Sequence, residues 1–440
     1  MKNYKEQFKG KKITVMGLGL LGRALGYTKF LAECGAELVV TDLKTEEQLE
    51  KSIKILKKFK NIKFVLGGHK MEDFENKDMI IKAAGVPLDS LYIAHAIKNN
   101  IPIEMDVSLF AKCAPGVKIV GVTGTRGKSM TTMLIHEILS SNIKNHNVYL
   151  GGNMRGVATL PLLSKVKDGD ILVAELDSWQ LQGFGDAKIS PHVSVFTTFM
   201  EDHMNYYKGD MKKYFDDKAN IFKYQKKGDF LVVRSLVKKM ILKNIESKLI
   251  LAKKSDVIDW KFAVPGDNQR ENLACAVNVA KIFNITENKI KKSVANFHGV
   301  EGRLELMKTY NGIKIYNDNN ATTPMATISG LEALGGKKNI VLICGGNDKK
   351  LSVEPLKKAI LKYCKAVVLI PGTGTDNLLN SKIKTETVIT KNLKEAVAHS
   401  LSLARRGDTV LFSPAFSSFS QWNNEYERND EFVKIIKKLK

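Results

Sequence analysis

No part of this chain limits its fold as tightly as the stretch Lys118–Thr132. A β-rich apolar run, Lys118-Ile119-Val120-Gly121-Val122-Thr123, enters the turn Gly124-Thr125-Arg126-Gly127. Lys128-Ser129-Met130 then opens a helical pattern continued by Met133-Leu134-Ile135. A strand that feeds a glycine turn and then a helix is half of a βαβ unit, which calls for a parallel sheet covered by helices. The turn also carries chemistry. Gly124 and Gly127 let the backbone N–H groups face inward, Lys128 adds a point charge, and Ser129 offers a hydroxyl suited to Mg²⁺. The helix contributes its positive end. The strict P-loop pattern has glycine where this chain has Val122. An ordinary glycine-containing turn is the alternative, but it leaves the Lys-Ser pair in register without a purpose.

A second glycine turn lies near the start. Lys12-Ile13-Thr14-Val15-Met16 reads as a buried strand that feeds Gly17-Leu18-Gly19-Leu20-Leu21-Gly22, and a helix continues through Ala32. The next strand, from Glu37 to Val40, ends at Thr41-Asp42. This is the Rossmann fingerprint in its proper setting, with a diphosphate on the helix N-terminus and a ribose or base near Asp42. A nicotinamide-dependent dehydrogenase is one reading of it. Glycines that serve only tight helix–sheet packing are another. Strand and helix patterns go on alternating through Lys63–Leu66, Met79–Ile81 and Ile101–Ile103.

At 440 residues the chain exceeds one ordinary core. The five cysteines are scattered without a C-x-x-C pair, which argues against a zinc site or disulfide scaffold and fits a reducing cytoplasm. Met1-Lys2-Asn3-Tyr4-Lys5 leads into charged residues, unlike a signal peptide, and no run of about eighteen apolar residues suggests a membrane span. The net charge of +23 comes from lysines spread over the whole chain. That distribution describes a solvated basic surface, compatible with phosphate-bearing ligands, and does not point to nucleic acid.

Three further strand ends can join the phosphate turn on one sheet edge. Asn147–Leu150 ends in Gly151-Gly152-Asn153. Ile171–Ala174 ends in Glu175-Leu176-Asp177-Ser178-Trp179-Gln180. Val193–Phe196 ends in Thr197-Thr198-Phe199-Met200-Glu201-Asp202-His203. Ligands of open α/β sheets bind beyond the carboxyl ends of the strands. An acid (Glu175), a histidine (His203) and the Ser129 hydroxyl gathered there can hold Mg²⁺ against ATP phosphates. Lys218, in the helical stretch Tyr214–Phe222, is on composition alone one more helix lysine.

Taken together, Thr123–Ser129, Gly152-Asn153, Glu175–Gln180, Glu201-Asp202-His203-Met204 and Lys218 resemble the successive motifs of the Mur ligases, ATP-dependent amide-forming enzymes of peptidoglycan synthesis. Glu-Leu-x-Ser-aromatic-Gln is most similar to the branch that adds D-glutamate to UDP-N-acetylmuramoyl-L-alanine. The resemblance implies that Gly124, Thr125, Gly127, Lys128, Ser129 and Met130 cradle ATP, with Ser129 and Glu175 at a first Mg²⁺. His203 would serve a second Mg²⁺. Lys218 would be a carbamylated lysine, a CO₂ adduct whose carboxylate helps hold that metal, so that Lys128, His203 and Lys218 form the catalytic set. Asn153, Asp177 and Gln180 would line the muramoyl-alanine, with Gly17, Gly19 and Gly22 near the UDP diphosphate and Asp42 near the uridine.

The resemblance continues downstream. Gly266-Asp267-Asn268-Gln269-Arg270-Glu271-Asn272 is similar to an adenine motif, which implies ATP contacts for Gln269 and Asn272. Gly302-Arg303-Leu304-Glu305 and Asn317-Asp318-Asn319-Asn320-Ala321-Thr322 place Arg303 and Asp318 at the nucleotide. Gly345–Lys349 and the stretch Thr409–Phe419 assign Thr322, Lys349 and Ser418 to the acceptor amino acid. Arg428 and Phe432 continue the pattern, and departures from it are Arg126 for Asn, Met130 for Thr, Asp177 for Ser, Asn268 for His, Gln269 for Asn, Gly302 for His, Asn320 for Lys and Asn429 for Gly.

The expectation is therefore a three-domain α/β ligase. It has a Rossmann-like UDP-sugar domain (1–113), a central P-loop domain (114–299) and a Rossmann-like amino-acid domain (300–440). It would act as a cytoplasmic monomer using ATP and two Mg²⁺. Sister Mur ligases, a folylpolyglutamate-type ligase and a P-loop switch protein remain rival readings, alongside the dehydrogenase.

Overall fold

The computed structural model describes residues 4–241, 245–336, 338–418 and 421–439. Phe419, quoted above within the last motif, lies outside them. The chain is α/β throughout and carries three sheets. It divides into two compact units, residues 1–257 with 271–290, and residues 258–270 with 291–440.

The first unit holds two sheets. One is fully parallel, built from β1 (Lys12–Met16), β2 (Glu37–Asp42), β3 (Ile62–Leu66), β4 (Met79–Lys82) and β5 (Ile103–Glu104). Its order, β3-β2-β1-β4-β5, puts the switch in winding direction between β1 and β4. Helix α1 (Arg23–Glu33) follows the glycine turn. The other sheet contains β6 (Lys118–Thr123), β7 (Val148–Gly152), β8 (Ile171–Glu175), β9 (Val193–Phe196), β10 (Phe230–Arg234) and β11 (Lys248–Ala252), in the order β11-β10-β9-β6-β8-β7. Every residue of β8 and β9 is buried, as expected of parallel strands covered on both faces. One apolar cluster runs from Ile13 and Val15 of the first sheet to Leu172, Ala174 and Phe196 of the second. Asp106 reinforces this junction: its buried carboxylate accepts the backbone N–H groups of Thr159 (2.8 Å) and Leu160 (2.7 Å).

The second unit carries β12 (Glu305–Tyr310), β13 (Ile313–Asn317), β14 (Ile340–Gly345), β15 (Cys364–Ile370), β16 (Glu386–Ile389) and β17 (Thr409–Ala415). The order is β12-β13-β17-β14-β15-β16, parallel except for the edge hairpin β12–β13. Separate apolar clusters pack its two faces, Leu342, Leu369 and Leu411 in one, Val341, Val368 and Val410 in the other. Residues 258–270, which precede the stretch read as the third segment, pack with this unit. Among the described residues no helix is long and apolar enough to cross a membrane, and all five cysteines are free thiols.

Candidate active site at the central sheet edge

The order of the central sheet sets β6 between β8 and β9, with β7 beyond β8, so their carboxyl ends bring four loops together. β6 runs into the phosphate turn and helix α2 (Lys128–Asn142). Gly124 and Gly127 adopt φ of 142° and 90°. A Cβ on Gly124 would press into Thr197 and the Thr198 backbone, and one on Gly127 would stand 2.5 Å from Asn272 Oδ1. The turn is held from below: Thr125 N–H donates to Thr198 O and Arg126 N–H to Thr198 Oγ1, each at 2.8 Å. Met130 has a buried side chain, so what it can offer a phosphate is its N–H in the first helical turn, where such groups have no partner within the helix.

Glu175 ends β8 almost fully buried. Ser129 Oγ donates to its Oε2 at 2.5 Å and Asn153 Nδ2 to its Oε1 at 3.3 Å. Three elements distant in sequence thus place a hydroxyl, a carboxylate and an amide together. This hard oxygen set fits Mg²⁺. Among the described residues no three His, Cys, Asp or Glu side chains converge as a ready-made metal cage.

His203 adopts the left-handed region (φ 57°) and opens the short helix Met204–Tyr207. Its ring lies 4.8 Å from the Trp179 ring. Burial lowers its pKa, against the pull of Asp202, and favours the neutral imidazole. Asp202 also pairs with Arg126 at 3.5 Å, so the departure at Arg126 is matched by an acid.

Lys218 is the residue that pattern reading missed and only the family likeness found. Helix α3 (Ser178–Asp186) follows β8, and α4 (Met211–Ala219) lies further along the chain. The latter buries Lys218 with Nζ donating to Gly124 O at 3.0 Å and lying 4.8 Å from the centre of the Tyr214 ring. Lys128 Nζ donates to the same carbonyl at 3.0 Å. Burial first, and then the Lys128 cation, push Lys218 well below the ordinary lysine range, although Asp177, Asp202 and Glu175 pull the other way. A signal for this was present only as spacing: a lysine facing the P-loop must lie 94 residues from it, which no local pattern encodes.

Other expected site residues fall in several places. Asp177 and Gln180 form the N-terminal capping box of α3, so the Gln180 side-chain oxygen is engaged by Asp177 N–H. Asn272 is buried under Gly127. At the first sheet, Gly17, Gly19 and Gly22 have φ of 90°, 60° and 82°. Asp42 is buried with both oxygens occupied, by Gly19 N–H and Lys44 N–H, each at 2.9 Å. It shapes the loop as well as lining it.

In the second unit, a cavity of about 450 Å³ is lined by Gly266, Asn268, Gln269, Asp318 and Gly330 among others. Burial pushes Asp318 up to about 7, although Ser413, Leu304 N–H and Arg303 oppose this. Lys349 Nζ donates to Thr322 Oγ1 at 3.0 Å, and Ser418 is buried in the loop after β17, next to the bridge between Ser417 and Asn347.

The chain matches the MurD-like N-terminal domain over residues 11–104, the Mur ligase middle domain over 122–291 and the Mur ligase glutamate ligase domain over 302–416. It is 31% identical to the UDP-N-acetylmuramoylalanine–D-glutamate ligase of Roseiflexus sp., covering 98% of this chain and 99% of that protein. With the ligase of the same name from Borreliella burgdorferi the identity is 32%, over 99% of both chains. The chain belongs to the Mur ligase family. Among solved structures, the Thermotoga maritima UDP-N-acetylmuramate-alanine ligase MurC shares its fold with a TM-score of 0.61 at 18% identity, covering 98% of this chain and all of that one. The MurF ligase of the same organism, solved with ADP, gives 0.59 at 17% identity, over 99% and 96% of the two chains. This Mur ligase is accordingly an ATP-dependent, amide-forming enzyme of a family that uses Mg²⁺. The dehydrogenase and switch-protein readings of the glycine turns give way to it.

Proposed function

We propose that this Mur ligase joins D-glutamate to UDP-N-acetylmuramoyl-L-alanine in the cytoplasm, and that the phosphate-turn edge is where the carboxylate is activated. The observation that carries the substrate assignment is likeness to ligases of that name from one end of the chain to the other. The chemistry follows from the residues. Lys128 and the first turn of α2 bind and orient the triphosphate, so the γ-phosphoryl group passes in line to the alanyl carboxylate oxygen and ADP leaves. Ser129 and Glu175 would hold Mg²⁺, and His203 would serve a second ion. When bound, these ions neutralise charge that builds on the transferring phosphoryl oxygens. The D-glutamate amine, oriented by Thr322, Lys349 and Ser418, then attacks the acyl carbon. A C–N bond forms, the C–O bond to phosphate breaks, and the amine proton goes to solvent or a base.

Lys218 has the environment that a carbamate needs. A neutral amine attacks CO₂, the new N–C bond forms as one C=O pair moves to oxygen, and the nitrogen gives up a proton. Burial and the adjacent Lys128 favour that neutral amine, and the product replaces a cation–cation clash with an attraction. The anion also raises the donor count beside Glu175 and His203.

The test is phosphate release with ATP, Mg²⁺ and UDP-N-acetylmuramoyl-L-alanine, offering D-glutamate, L-glutamate, L-lysine and diaminopimelate in turn. Release that requires D-glutamate is the expected result. Equal release with another acceptor, or with none, would overturn the assignment.

A further inference from the structure

Among the described residues the largest fully buried side chain is an arginine, Arg428, which takes no part in phosphoryl transfer or amide formation. It stands in the first turns of helix α5 (Glu425–Lys437), whose N-terminus is capped by Asn424. Three of its five N–H donors go to two loops. Nε donates to Asn319 Oδ1 at 2.8 Å and Nη2 to Asn319 O at 3.0 Å, while Nη1 donates to Phe416 O at 3.3 Å. Asn319 lies in the loop after β13, three residues before Thr322. Phe416 lies in the loop after β17, two residues before Ser418. Among the described residues Arg428 makes no ion pair; the nearest electrostatic counterweight is Glu425. Desolvating a cation without a carboxylate partner is costly, and an apolar side chain of similar volume would fill the space more cheaply.

The two clamped loops are also tied to each other and to the loop after β14. Ala415 N–H donates to Ala321 O at 2.8 Å, and Asn347 exchanges backbone hydrogen bonds with Ser417. Thr322, Lys349 and Ser418 therefore sit on one stitched rim, with Arg428 behind it.

We infer that Arg428 is a positioning residue of the acceptor pocket: its planar fork sets the Thr322 loop against the Ser418 loop, and its buried charge favours an acceptor that carries a second carboxylate. This rests on the reading of Thr322, Lys349 and Ser418 as the amino-acid site. A lysine could supply the charge but not the fork, because one ammonium cannot reach both loops in the same planar geometry.

The experiment compares the full-length enzyme with Arg428→Lys and Arg428→Met in the phosphate-release assay, with D-glutamate and D-glutamine as acceptors and thermal melting in parallel. Hydrogen bonds from a charged donor are strong enough for a change of about tenfold or more. Arg428→Met should raise the KM for D-glutamate by about that factor and erode the preference over D-glutamine, with the KM values for ATP and UDP-sugar within about twofold. Arg428→Lys should keep the preference for D-glutamate while losing kcat. A parallel rise of all three KM values would reduce Arg428 to a structural role, and an unchanged KM for D-glutamate in both variants would overturn the inference outright. If Arg428→Met does not fold, Arg428→Lys decides: wild-type kcat overturns the fork. Wild-type enzyme that turns over only with a different acceptor removes the substrate assignment first, and this inference with it.

Discussion

The two glycine turns of the first unit share one grammar, strand into glycines into helix, yet they are packed in opposite ways. At the first, a Cβ on Gly17 would stand 3.0 Å from Ala83 Cβ, but one on Gly19 or Gly22, nearer the helix, would meet nothing within 4 Å. Those glycines serve left-handed backbone and leave the space above them open. At the second, Gly124 and Gly127 are closed in by Thr197, Thr198 and Asn272. Here the missing side chains let the protein pack against its own backbone, and the ligand chemistry passes to Lys128 and Ser129.

A buried lysine stands behind each turn, and the pair sharpens the contrast. Lys82 ends β4 beside the first turn and donates to Val86 O at 2.8 Å. Burial brings it down to about 8, while Asp177, Asp186 and Asp217 work to keep it charged. Lys218 behind the second turn has a cation, Lys128, as its strongest neighbour. Similar burial therefore acts on a lysine whose charged neighbours are acids in one place and on a lysine opposed first by a cation in the other.

The contrast can be broken most forcefully at Lys218. Lys218→Ala is expected to cut turnover by about a thousandfold or more, with partial recovery on adding a short carboxylate; an alanine variant at full activity would remove the carbamate. Next comes the packing difference. Gly124→Ala should destabilise the protein by on the order of 3 kcal/mol, since it combines strain with overpacking. Gly19→Ala should cost only about 1 kcal/mol for a left-handed alanine and raise the KM for UDP-sugar with that for ATP unchanged. Urea denaturation of both variants checks the first half, and equal losses would erase the distinction.

A further difference is in pH. The folded pKa of Lys82 lies below the ordinary lysine value, so below about 8 both folded and unfolded chains carry the proton and the folded state bears the burial penalty. As pH rises from about 8 towards 10.5 the folded state releases its proton first and the penalty is relieved. The stability of wild type relative to Lys82→Met should therefore climb over that window, by roughly 1–3 kcal/mol. A flat difference would place Lys82 outside the buried environment described here.

Much of the architecture could be read from local pattern. The apolar run Ile171–Ala174 and the alternation of such runs with helical segments required parallel sheets, because a strand buried on both faces has only that context. Both glycine turns were visible for the same reason, since left-handed φ selects glycine at fixed offsets from a strand end. The likeness of Lys218 and Asp318 to family motifs supplied residues that periodicity never marks. Asp42 shows the opposite limit. Its position at the end of β2 suggests a ligand contact, and the fold adds that its two carboxylate oxygens also accept the N–H groups of Gly19 and Lys44, which fix the loop. Hydrogen-bond accounting of that kind needs coordinates.

Chain chemistry alone settled where strands end and which loops carry charge, because φ preferences and hydrophobic period act over a few residues. Which of those loops meet is a long-range matter. Ser129 and Glu175 are 46 positions apart, and Gly124 and Lys218 are 94. They are joined only because strand order sets β6 between β8 and β9, and α4 closes over the turn. The same holds for Arg428, 109 residues from the Asn319 it clamps. In sequence it continues the family pattern that follows the stretch Thr409–Phe419, but nothing local says what it touches. Burial, which no single residue carries in its identity, makes it the cation behind the acceptor rim.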